Sequence, residues 1–164
     1  MQINWTLVAG LAACSLAAAA NWDAGTAART GRGSWRMLGV VYLALLAELV
    51  AETRFGAVAA IGATAGIGRH GVMIGLALAM LVAAGVALVA IVRVARRVPW
   101  FGGAGSVALA MAGLFGMEML AVGPVGALLY RPVGPAMLIG WLWLAGGATA
   151  VGIAAMAVRT AKRR

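Results

Sequence analysis

The stretch 71–92 contains no charged side chain, and that single run constrains the fold more than anything else in the chain. A helix rises 1.5 Å per residue, so about 20 apolar residues cover the roughly 30 Å hydrocarbon core of a bilayer. Four further stretches have comparable length and character: 4–21, 37–53, 103–122 and 135–158. Glu48 and Glu52 interrupt the second of the five, and Glu118 lies in the fourth. The runs are continuous and lack the period-two alternation of a membrane barrel. The expected fold is therefore all-α: a single polytopic transmembrane helix bundle with five spans.

Composition supports lipid as the solvent. Hydrophobic residues make up 64% of the 164 residues and charged residues only 10%, whereas a soluble domain carries about 25% charged residues. Too few charges exist to cover a surface facing water.

The net charge of +9 raises nucleic acid as a partner, but the basic residues occur as short clusters between apolar runs, with no nucleic-acid motif. Membrane topology explains that arrangement, so no nucleic acid is expected. Arg29, Arg32, Arg36, Arg93, Arg96, Arg97, Arg159, Lys162, Arg163 and Arg164 fall on one side of a five-span chain. Arg54, Arg69 and Arg131 fall on the other. Ten against three makes the first side cytoplasmic, which puts the N-terminus outside and the C-terminus inside a bacterial inner membrane. Arg93, Arg96, Arg97, Arg159, Lys162, Arg163 and Arg164 are the expected contacts to anionic lipid headgroups. A rival reading makes 1–20 a cleaved signal peptide, with Ala17 to Ala20 suiting the cleavage site. The absence of Lys or Arg before the apolar run opposes it.

Tryptophans fit the five-span pattern. Trp5 and Trp22 flank the first span, Trp35 opens the second, and Trp100 precedes the fourth, as expected for rings at headgroup level. Trp141 and Trp143 fall inside the fifth span, facing lipid, packing, or lining a ligand. Small residues at Gly71 and Gly75, Gly113 and Gly116, and Ala148 and Gly152 predict close helix packing. Two hairpins, 37–92 and 103–158, share similar wording: Glu48-Leu-Val-Ala against Glu118-Met-Leu-Ala, each followed by Gly-Ala, an arginine, and a Met-containing segment. A parallel duplication is one explanation, and chance similarity in Ala- and Gly-rich sequence is the other. The apolar outer loops 55–67 and 122–130 read as short interfacial or re-entrant helices.

The intramembrane charges carry the most informative chemistry. A carboxylate at the centre of a bilayer costs about 2.5–3.5 kcal/mol on insertion scales, and so faces the bundle interior or a wet cavity. Glu48 and Glu52 share one helix face, and all three spanning glutamates fall in the outer half. Glu48, Glu52 and Glu118 with Arg69, Arg131 and His70 form the expected outer polar cluster. It either pins loops to the bundle by ion pairs or binds a solute, headgroup or proton, and incidental placement is the remaining alternative.

Other chemistries find no support. One His and one Cys are too few for a usual zinc site or for bis-histidine haem within the chain. No nucleophile elbow or phosphate loop occurs. The expectation is no cofactor, no metal and no catalysis. Cys14, alone in an apolar run, reads as a small packed hydrophobe.

In size, five spans, tryptophan content, Trp5 and Leu11-Ala-Ala-Cys14, the chain resembles the tryptophan-rich sensory protein family. It departs from that family's Pro-Pro-x-Trp loop, since loop 1 reads Thr30-Gly-Arg-Gly-Ser-Trp35. Its third span also lacks the family's Asn and Trp. The resemblance therefore implies architecture alone. The function expected is a non-catalytic accessory or interacting subunit with membrane lipids and a membrane protein as partners. Alternatives are a carrier using the outer cluster and an enzyme acting on a lipid-soluble substrate.

Overall fold

The computed structural model describes residues 4–55, 69–120 and 123–163, with side chains at all of these except 52–55, 69–73, 76–77, 118–120 and 123–124. Six helices and one minimal hairpin make up the described residues: α1 Trp5–Ala27, α2 Arg32–Phe55, α3 Arg69–Ala95, α4 Phe101–Leu120, α5 Gly123–Leu129, β1 Pro132–Val133, β2 Ala136–Met137 and α6 Leu138–Lys162. Four of them are long and apolar enough to cross a membrane: α1, α2, α3 and α6. The apolar part of α4, Phe101–Met117, is shorter, although the whole helix of 20 residues reaches about 30 Å.

α1 is the centre of the bundle and packs along both α2 and α6; α4 touches α2, α3 and α6. Small residues make α1 suitable for this position. Ala9, Ala13, Ala17, Ala18 and Ala24 are buried, and a Cβ on Gly147 of α6 would stand 2.8 Å from the Ala13 Cα. Without a hydrophobic drive between helices in lipid, close backbone approach of this kind supplies the packing energy. Larger side chains fill the space around it: Trp143 stacks on Phe115 with centroids 4.8 Å apart, and Trp35 meets Phe101 edge-on at 5.9 Å.

Several sequence expectations are refined. Trp35 is only 1% exposed, so it is a packing residue and not a headgroup anchor. Trp143 packs inside, whereas Trp141 is exposed and donates from Nε1 to the Val133 carbonyl at 2.9 Å. Cys14 is fully buried, as expected of a small hydrophobe. Gly75, Gly113 and Gly152 were expected to seat neighbouring helices, yet a Cβ at each would meet nothing within 4 Å. Gly116 does make the close approach expected of it, in the α3–α4 contact, and the others occur at Gly105 of the same contact and at Gly10, Gly140 and Gly147 of the α1–α6 contact. The 122–130 segment does contain a short helix, α5. The 55–67 loop falls almost wholly outside the described residues. The β1–β2 turn delays the last helix to Leu138, because Gly134 turns the chain with φ +64 and Met137 pairs with Pro132.

Candidate functional site

Two regions concentrate polar chemistry. At the end of the bundle that carries the hairpin, the Thr6 hydroxyl accepts from the Met137 N–H at 2.9 Å, tying the start of α1 to β2. Glu48 is half-buried in α2, with one carboxylate oxygen inside the bundle. It lies within electrostatic reach of the Cys14 thiol, which is in turn near Tyr42. Sequence reasoning missed this Cys14–Tyr42–Glu48 grouping. Cys14 and Glu48 are far apart in sequence, and only the α1–α2 packing brings them together.

Of the six residues expected in the outer cluster, only Glu48 and Arg131 have described side chains. Arg131 is exposed, and its carbonyl accepts from the Leu138 N–H at 2.9 Å. The backbones of Glu52 and Glu118 lie in α2 and α4, and those of Arg69 and His70 open α3. Their side chains, like that of Arg54, lie outside the described residues. The clefts at the basic end and between α3 and α4 are not lined by Glu48.

The other region is the basic end. The α1–α2 loop, the α3–α4 loop and the end of α6 meet there. Gly31, with φ +72, lets the first loop close onto Val98, whose Cγ2 would stand 2.4 Å from a Cβ at that position. No side chain other than hydrogen fits this contact without strain. Around it lies a cleft of about 680 Å³ lined by Thr30, Gly31, Ser34, Arg93, Val94, Arg96, Arg97 and Val98. A second cleft of about 280 Å³ shares Thr30 and Val98 and continues between Trp35, Pro99, Trp100 and Ala157. A third holds Trp100, Arg159 and Arg163. Arg36 sits over the Trp22 ring, 5.6 Å from its centroid, in the range of a cation–π contact. All the expected headgroup contacts with described side chains (Arg93, Arg96, Arg97, Arg159, Lys162 and Arg163) are exposed here. Arg164 lies outside the described residues.

No family model matches the chain, and no curated protein or solved structure matches it.

Proposed function

We propose that this chain is a small, non-catalytic accessory subunit of a bacterial inner membrane. It crosses five times, N-terminus outside and C-terminus in the cytoplasm, with its basic end on anionic lipid and α3 offered to a membrane protein partner. The observation that carries this reading is the state of α3. None of its Leu78–Ala95 window is buried, against 39%, 28% and 33% for the corresponding windows of α1, α2 and α6. Leu81, Val82 and Val86 are each about two-thirds exposed. Between α3 and α4 runs an apolar groove of about 490 Å³, lined by Met80, Leu81, Ala84, Ala112, Gly113 and Gly116 among others. Small residues along such a groove allow a further helix to approach closely. The basic end supplies about 1 kcal/mol per Lys or Arg held near an anionic surface.

Photo-crosslinkers at Leu81 and Val86, compared with one at the exposed Leu16 of α1, test the partner. Protein adducts of one defined mass at the two α3 positions, and lipid adducts alone at Leu16, are expected. Lipid adducts alone at all three positions would contradict an interacting subunit.

A carrier using Glu48 is the second reading, favoured by the carboxylate oxygen held inside the bundle.

A further inference from the structure

We propose that the cleft between the α1–α2 and α3–α4 loops is a discrete binding site for the phosphate headgroup of one anionic phospholipid. This rests on the reading that the basic end lies in an anionic leaflet, and adds to it a defined ligand with named neutral contacts. Three guanidinium groups, from Arg93, Arg96 and Arg97, line the same cavity as the hydroxyl-bearing Thr30 and Ser34. Arginine presents a planar fork of donors matched to phosphate oxygens, and no acidic residue lines the cleft. α2 begins beside it at Arg32. The first-turn N–H groups of a helix lack intrahelical acceptors and carry the positive end of its dipole. Its first turn contains no acidic residue to offset that field.

The cleft is also held in place. Buried Val98 packs onto Gly31, locking the two loops together, and the Val98 and Arg97 N–H groups both bond to the Val94 carbonyl at 2.9 Å. The loop backbone that carries these donors therefore needs little reordering when a ligand arrives.

The adjoining slot decides between a lipid and a free phosphate. It opens from the shared residues Thr30 and Val98, is walled mainly by Trp35, Pro99, Trp100 and Ala157, and carries Arg29 and Thr160 as further polar lining. Trp100 is 46% exposed at its rim and adopts φ 66, a left-handed conformation that non-glycine residues seldom take. A basic cleft continuous with a mostly apolar slot suits an amphiphile: phosphate in the first, glycerol and the start of an acyl chain in the second, with Arg29 and Thr160 at the polar part of the chain.

The test uses full-length protein in nanodiscs of phosphatidylglycerol and phosphatidylcholine, with lipid retention read by native mass spectrometry. Wild type should retain one phosphatidylglycerol saturably. Thr30→Val with Ser34→Ala changes no charge and should weaken retention about tenfold, equivalent to about 1.4 kcal/mol. Arg96→Gln with Arg97→Gln should abolish it. Arg159→Gln with Arg163→Gln removes the same charge outside the cleft and should reduce retention far less, through the general attraction to anionic lipid alone. Equal losses in both arginine pairs, or no loss in the neutral pair, would overturn the site while leaving diffuse attraction to anionic lipid intact. Failure of wild type to prefer phosphatidylglycerol vesicles at all would instead remove the underlying reading. Displacement of the lipid by excess inorganic phosphate would reassign the cleft to the free anion and overturn the lipid proposal.

Discussion

At the scale of single residues, backbone proximity distinguishes glycines that look alike in sequence. Gly147 faces the Ala13 backbone at 2.8 Å, whereas Gly152 on the same helix faces open space. Gly147→Ala should therefore force α1 and α6 apart and destabilise the fold by about 1–3 kcal/mol. Gly152→Ala should be neutral or stabilise by up to about 1 kcal/mol through helix propensity. Thermal unfolding of the two variants in mild detergent separates them; equal midpoints would contradict the α1–α6 packing. Thr6→Val removes the acceptor for the Met137 N–H and should cost about 1 kcal/mol, with Thr6→Ser retaining wild-type stability. The burial of Cys14 was legible, because an isolated cysteine in an apolar run has no better use. The burial of Trp35 was not. An indole at the start of a span suits both the interface and the core, and only the position of Phe101 on another helix decides between them.

At the scale of elements, the long apolar helices followed from run length alone, and their ends shifted for local reasons. α1 continues past the expected end to Ala27, because the polar residues that end the apolar run do not end the helix. Asn21 stays in the helix by donating its Nδ2 to the Ala17 carbonyl at 2.8 Å. The β1–β2 turn shortens the start of α6 because Gly134 reverses the chain. Which helix faces were covered was not legible. Ala and Gly occur on every face of these helices, so their spacing marks no single interface. The α3–α4 contact can be checked directly. A Cβ at Gly105 falls within 2.7–3.2 Å of Ile91 side-chain atoms, so an Ile91→Cys, Gly105→Cys pair in a Cys14→Ser background should form a disulfide under mild oxidation. Absence of that crosslink, with a Gly105→Cys, Ile74→Cys pair forming one instead, would contradict the placement of α3.

At the scale of the whole molecule, the asymmetry of charge organises the account. The basic clusters of the α1–α2 loop, the α3–α4 loop and the end of α6 were separate in sequence, and the fold gathers them around three adjoining clefts. Their common side was legible by counting arginines. The cleft itself was not, because Thr30 and Ser34 carry no charge signal and their approach to Arg96 depends on the Gly31–Val98 contact. Glu48 gives a further check. If Glu48 serves packing alone, Glu48→Gln should accumulate to wild-type levels and keep any association that crosslinkers on α3 capture; loss of that association in a stably folded variant would contradict a packing role.

The most direct measurement is accessibility to a membrane-impermeant thiol reagent in intact cells, using a Cys14→Ser background with single cysteines placed at Gln2, Arg131 and Lys162. Labelling at Gln2 and Arg131 from outside, with Lys162 labelled only after permeabilisation, is the result expected. Labelling of Lys162 in intact cells, or of Gln2 and Lys162 from the same side, would contradict an odd number of crossings with the arginine-rich end facing the cytoplasm.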